Sequence, residues 1–162
     1  MVDTMSKSEV AMHQQGVRPG CFYCEHSEIQ RARMIFITKL STSTVFLNRD
    51  QTHPGRCIVA LNWHVDELFE LKGKELTQYI QEVADVARVL KSITGCKKIN
   101  YGIYGDTVSH LHFHLVPKKP EDDDWDDAFI NNPQNPITGK DDVNNRLISQ
   151  IRQELEDRHE TL

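Results

Sequence analysis

The spacing of apolar positions changes several times along this 162-residue chain. Residues 34–40 (MIFITKL) and 43–48 (STVFLN) are short runs rich in β-branched and aromatic side chains. Such runs predict two strands, here joined by a tight Ser-Thr turn. His53-Pro54-Gly55 predicts a further turn, and residues 57–62 (CIVALN) a buried strand behind it. Leu76, Tyr79, Ile80, Val83, Ala84, Ala87, Leu90 and Ile93 then recur at steps of three and four. That is one face of an amphipathic helix, with Gly95 placed as its stop. Residues 98–104 and 110–118 predict two more strands around a Gly105-Asp106 turn. The segment from Pro120 to Gly139 is a polar, proline-bearing loop, and Leu147, Ile151 and Leu155 predict a terminal helix over residues 145–158. The order strands, long helix, strands, helix, with short links between strands, predicts an α+β domain. Its sheet should be five-stranded and mainly antiparallel, with the long helix covering one face.

No repeat and no Gly/Ser linker divides the chain, so one domain is expected. It would consist of a flexible segment over 1–20, a body over 21–119, and a loop and helix over 120–162 packed on that body. No apolar run approaches the roughly 18 to 20 residues needed to span a bilayer, and residues 1–20 lack the apolar core of a secretory leader. A cytoplasmic protein with no membrane partner is therefore expected. With 19 Lys and Arg against 24 Asp and Glu, the formal charge is −5, which argues against a nucleic-acid backbone binder. The acidity is local. Glu121, Asp122, Asp123, Asp124, Asp126 and Asp127 surround Trp125, and the rest of the chain is nearly neutral, which leaves room for an anionic small ligand. Of the four cysteines, Cys21 and Cys24 form a C-x-x-C, while Cys57 and Cys96 are isolated. Without a leader they read as reduced thiols, not as a disulfide framework.

The most informative stretch is His110-Leu111-His112-Phe113-His114-Leu115-Val116. Side chains alternate between the faces of a strand, so three imidazoles share one face and Leu111, Phe113 and Leu115 point to the core. Each imidazole can act as nucleophile, acid, base or metal ligand near neutral pH. A histidine-rich solvated face and a three-histidine metal cage are the alternatives. The cage lacks an added Asp or His, because Pro117-Lys118-Lys119 follows. No P-loop and no G-x-G-x-x-G is present.

This pattern resembles the signature of the histidine-triad family, and the resemblance runs from about Cys21 to Lys119. Gly105-Asp106-Thr107-Val108-Ser109 resembles the family's Gly-Gln-Ser/Thr-Val lead-in, and Phe46-Leu47-Asn48-Arg49 its ribose-holding segment. His53-Pro54-Gly55-Arg56 resembles its Pro-Gly-His turn. The resemblance implies a nucleotide hydrolase, similar to diadenosine polyphosphate hydrolases, that cleaves dinucleoside polyphosphates or nucleoside phosphoramidates at the α-phosphorus. His112 would attack and form a nucleotidyl-imidazole that water hydrolyses, because neutral imidazole is a competent nucleophile and a good leaving group. His114 would contact the phosphate, Thr107 would donate to a phosphate or leaving-group oxygen, and His110 would complete the triad. The implied nucleotide-binding set is Asn48, Asn100, Gly105, Asp106 and Arg56. A nucleotidyltransferase, or a binding module with little turnover, would carry the same residues. The resemblance also implies a homodimer.

Two positions depart from the family pattern. Asp106 stands where Gln is usual, and ionised it cannot donate to a phosphate. Arg56 stands where His is usual; it either offsets Asp106 or is a surface turn residue. Asn48 either meets the ribose or caps a turn. Trp125 either stacks on a ligand or half-buries itself in a solvated loop.

Cys21-Phe22-Tyr23-Cys24 lacks the preceding strand of a redox motif, and zinc needs two further ligands. Some branches of the family, including relatives of galactose-1-phosphate uridylyltransferase, pair a C-x-x-C with a histidine after the second conserved strand and with the first histidine of the triad. The resemblance thus implies structural zinc at Cys21, Cys24, His64 and His110, against reduced free thiols or a disulfide. Magnesium would arrive bound to substrate phosphates.

Overall fold

The computed structural model describes residues 16–160, so most of the segment expected to be flexible, residues 1–20, lies outside the described residues. Five strands form one sheet: β1 (Met34–Lys39), β2 (Ser43–Asn48), β3 (Cys57–Leu61), β4 (Lys98–Ile103) and β5 (His112–Lys118). Their order is β1-β2-β3-β5-β4, and every neighbouring pair is antiparallel. Among the described residues three helices accompany them, α1 (Glu28–Arg33), α2 (Gly73–Thr94) and α3 (Asp141–Glu160), with a 3₁₀ turn at Leu68–Glu70. The fold is the α+β architecture expected of the sequence. Among the described residues no helix is long and apolar enough to cross a membrane.

Strand alternation gives the sheet two different faces. Val45, Leu47, Cys57, Val59, Leu61, Phe113 and Leu115 share a core with Tyr79, Val83 and Leu90 of α2 and Ile148, Ile151 and Leu155 of α3. Both long helices therefore cover one face. On the opposite face Met34, Phe46, Ile58 and Ala60 gather beneath Cys21 and Tyr23. That face carries His112 and His114, opposite Ala60 and Ile58 of β3.

Helix α2 stops at Gly95, whose φ of 62° is left-handed and whose N–H bonds Lys91 O, the use glycine is best suited to. Its buried stripe is broader than the spacing predicts. Val86 and Val89 are buried, and Ile80 is exposed, because α3 packs against α2 in addition to the sheet. Glu82 is buried within the stripe and accepts from Thr42 N (3.0 Å), Thr42 Oγ1 (2.9 Å), Ser43 Oγ (2.5 Å) and Gln78 Nε2 (3.1 Å). It ties the β1–β2 turn to α2.

Helix α1 was not expected from the spacing. It spans six residues, and Ser27 Oγ caps Gln30 N at 3.3 Å. The loop over 120–139 turns back onto the β2–β3 connection. Thr138 bridges Asp50, and Gln51 N donates to Ile137 O at 2.8 Å. This return forms one wall of the site.

Candidate active site

His110, His112 and His114 lie in a row. The ring of Tyr23 rests on the first two, with centroids 5.3 Å from His110 and 4.8 Å from His112. The rings of His112 and His114 are 5.0 Å apart. Burial disfavours an imidazolium in all three. It lowers His110 to about 4 and His114 to about 3, and holds His112 below its ordinary 6.5. All three are neutral at pH 7.

Their hydrogen-bond partners fix different tautomers. His112 Nδ1 is 2.6 Å from the carbonyl oxygen of His110. A carbonyl only accepts, so Nδ1 carries the proton and Nε2 keeps its lone pair. His114 Nδ1 is 3.3 Å from Arg56 NH2, and a guanidinium only donates. The proton of His114 is therefore on Nε2. One ring offers a lone pair, the next a donor.

His112 and His114 line a cavity of about 640 Å³. Its walls include Gly105, Asp106, Thr107 and Val108 of the β4–β5 connection, Phe22 and Tyr23 of the C-x-x-C segment, and Met34, Asn48, Arg56 and Ile58 of the sheet. The structure thus brings together His112, His114, Thr107, Asn48, Gly105, Asp106 and Arg56. It does not bring Asn100 to the cavity: that residue is half-buried on β4 opposite Val116. Asn48 Oδ1 accepts from Asp50 N at 2.9 Å, so its oxygen caps a turn with one lone pair and keeps the second, together with the amide N–H groups, for a ligand. Arg56 is 2% exposed and is not a surface turn residue.

The third wall was not legible in the sequence. Asn131, Asn132, Pro133, Pro136 and Thr138 line the cavity from the returning loop. Asn131 is held by Arg56 NH2, at 2.7 Å to its Oδ1 and 3.1 Å to its O. Phe129 is buried against Tyr104 and His114, and Gly102 makes room for it. A Cβ on Gly102 would come within 3.1 Å of the Phe129 ring. The acidic run lies elsewhere. Asp124 Oδ2 is 2.9 Å from His53 Nε2, Asp122 Oδ2 is 3.4 Å from His53 Nδ1, and Lys118 Nζ bonds the carbonyls of Asp124 and Asp127. None of residues 121–127 lines the cavity, and Trp125 is half-buried outside it.

Cys21, Cys24, His64 and His110 form a compact cluster whose donor atoms all lie within 4.8 Å of one another. His110 Nδ1 is 3.5 Å from both sulfurs, and His64 Nδ1 is 3.7 Å from Cys24 Sγ. With zinc bonds of about 2.3 Å to sulfur and about 2.05 Å to nitrogen, a tetrahedral S–Zn–N edge is about 3.6 Å. The spacing fits. The far nitrogens are also partnered, His110 Nε2 by Leu61 O at 2.8 Å and His64 Nε2 by Asp66 Oδ1 at 3.0 Å. Each ring thereby keeps an Nδ1 lone pair for a metal, the usual outer-shell arrangement. Asp66 also accepts from Ser109 Oγ at 2.7 Å and from Arg18 NH1 at 3.0 Å, so the cluster is coupled to the loop ahead of the triad. Cys57 and Cys96 are buried free thiols elsewhere in the molecule.

A sheet face bearing alternate neutral histidines beside a nucleotide-sized cavity defines a histidine-triad protein. Residues 30–121 match the HIT domain family; this is more than half of the chain, and the chain belongs to that family. It is 31% identical over 96 residues to the asymmetrical bis(5'-nucleosyl)-tetraphosphatase of Schizosaccharomyces pombe, covering 56% of this chain and 52% of that one. It is 29% identical over 104 residues to the adenosine 5'-monophosphoramidase of Saccharomyces cerevisiae, covering 62% and 64%. The chain thus spans between about half and just under two thirds of these curated relatives. A zinc-bound histidine triad family protein from Mycobacterium smegmatis shares the fold, with a TM-score of 0.62, 17% identity and coverage of 88% and 98%. A histidine triad protein from Bradyrhizobium japonicum does so with a TM-score of 0.72, 24% identity and coverage of 79% and 95%.

Proposed function

We propose that the chain is a nucleotide hydrolase that cleaves at the α-phosphorus of a dinucleoside polyphosphate or a nucleoside phosphoramidate and releases a nucleoside monophosphate. The observation that carries this reading is the bond from His112 Nδ1 to His110 O. It leaves Nε2 as the nucleophilic atom of a neutral ring on the cavity wall.

The nucleoside would lie over Phe22, Met34 and Ile58, with its ribose near the Asn48 amide. His112 Nε2 attacks phosphorus, a P–N bond forms, and the bond to the leaving group breaks. His114 Nε2–H and the Thr107 hydroxyl donate to the phosphoryl and leaving-group oxygens as charge develops there. Water then attacks the nucleotidyl-histidine, releases the monophosphate and restores the neutral ring. The activities for which the two relatives are named, a tetraphosphatase and a phosphoramidase, span these two substrate classes.

Zinc would be held by Cys21 Sγ, Cys24 Sγ, His64 Nδ1 and His110 Nδ1, a closed donor set whose contribution is order and not Lewis acidity. A homodimer is part of the same reading: β4 is an open sheet edge with Tyr101 and Ile103 exposed, and a second copy would cover it. Light scattering would read that mass directly.

The test is a panel of diadenosine tetraphosphate and adenosine phosphoramidate, with and without added phosphate and magnesium, read by mass spectrometry. Release of AMP is expected. Transfer of the nucleotidyl group to phosphate would instead make the chain a transferase. Saturable binding with no product would overturn the enzymatic reading.

A further inference from the structure

We infer that Arg56 is a specificity-determining residue, a built-in guanidinium that reads a second phosphate group and favours substrates whose leaving group is a phosphate chain. The inference rests on the nucleotide-hydrolase reading of the cavity and deepens it.

A guanidinium has five N–H donors and no acceptor. NH1 donates to Asp50 Oδ2 at 3.0 Å, and NH2 to Asn131 Oδ1 and O. The Phe129 ring lies 5.4 Å from Arg56 Cζ. Those contacts hold the head group in one place beside His114. Nε is different. It is buried and has no protein partner, although the side chain is only 3% exposed. A buried donor left unpaired is destabilising, and on a side chain that lines the cavity it points to an acceptor that the protein itself does not supply. The acceptor that suits a fixed guanidinium is a phosphate oxygen.

Position separates this phosphate from the one under attack. His112 holds the reacting phosphorus, His114 is the next ring along the row, and Arg56 lies beyond His114, with NH2 3.3 Å from His114 Nδ1. A phosphoryl group seated on His112 therefore leaves Arg56 to the next phosphate of the substrate. A phosphoramidate, whose leaving group is an uncharged amine, has nothing to place there.

The test compares kcat/KM for diadenosine tetraphosphate and adenosine phosphoramidate in the wild type, Arg56→Gln and Arg56→His. The polyphosphate-to-phosphoramidate ratio should fall about ten- to a hundredfold in both variants, the loss of one hydrogen bond to a charged partner. An equal fall for both substrates would assign Arg56 to the α-phosphoryl group and overturn the inference. A second measurement stands even where Arg56 variants fold poorly. With Arg56 intact and His112→Ala blocking turnover, calorimetry should give ADP at least about tenfold tighter than AMP; equal affinities overturn the proposal. If the wild type cleaves neither substrate, the hydrolase reading fails while the ADP-to-AMP comparison still decides the role of Arg56.

Discussion

His112 Nδ1 donates to the carbonyl oxygen of His110 across 2.6 Å, so the backbone of one triad residue sets the tautomer of another. The bond needs no third side chain, because its acceptor is the main-chain oxygen two residues back, just ahead of β5. It also divides the work. If the ring of His110 is spent on the Cys21–Cys24–His64 cluster, its main chain still orients the nucleophile, and His112 alone presents a free lone pair to the cavity.

His112→Ala should therefore lower kcat by at least about a thousandfold while nucleotide affinity stays within about tenfold. Ribose and base contacts are untouched, and only the covalent route is lost. Single-turnover kinetics with calorimetry on the variant checks this. Retention of a tenth of the wild-type kcat would remove His112 as the nucleophile.

Protein purified without chelators should carry about one zinc per chain. Cys24→Ser should lower Tm by more than about 5 °C before it changes the chemistry, because binding energy at a closed site is also folding energy. Asp66 joins His64 to Ser109, so the loop over 104–111 should loosen with the cluster and KM should rise as Tm falls. Metal analysis below about 0.2 zinc per chain, against the one expected of a filled site, would leave the four donors as a coincidence of packing.

Much of this was legible in the sequence, because local composition and periodicity carry it. Both long helices follow from spacings of three to four residues, and the strands from short runs rich in β-branched, aromatic and other apolar residues. The histidine face follows from the same alternation that sends Phe113 and Leu115 into the core. What stayed hidden depends on contacts distant in sequence. Arg56 and Asn131 are 75 residues apart, and nothing local announces that a polar loop returns to hold a buried guanidinium. The buried stripe of α2 departs from the spacing at Ile80 and Val89 for a similar reason. A second helix, far along the chain, covers a flank that the spacing alone assigns to solvent. Tyr23 sat in view inside the C-x-x-C, but only the fold sets its ring on His110 and His112.

The returning loop is anchored by Lys118, which is 2% exposed and holds the carbonyls of Asp124 and Asp127 and the Asp124 carboxylate, 3.3 Å away. Lys118→Met should cost about 3–5 kcal/mol, since it removes one partner of a buried ion pair and leaves the Asp124 carboxylate with His53 alone. Asn131 and Phe129 are carried by the same loop, so KM should rise several-fold with kcat less affected. Urea unfolding and steady-state kinetics check the two parts separately. A variant with wild-type KM would show that the cavity wall holds without this anchor.

Glu82 is buried against the β1–β2 turn, and burial raises its carboxyl above the ordinary 4.5, although Ser43, Thr42 and Gln78 all donate to it and pull the other way. The sign follows from linkage. Between the unfolded value near 4.5 and the raised folded value, the unfolded chain gives up its proton and the folded chain keeps it. The folded state then holds more protons, so stability falls as pH rises through that window and levels off above it. Glu82→Gln cannot titrate. The wild type minus Glu82→Gln difference in unfolding free energy should therefore be most favourable to the wild type in acid, and should decline from about pH 4.5 upward. Denaturant midpoints of both proteins at half-unit steps from pH 4 to 8 measure it, and the difference cancels every other titrating group. A difference that grew with pH would mean that the donors around Glu82 outweigh its burial and hold it ionised in the fold.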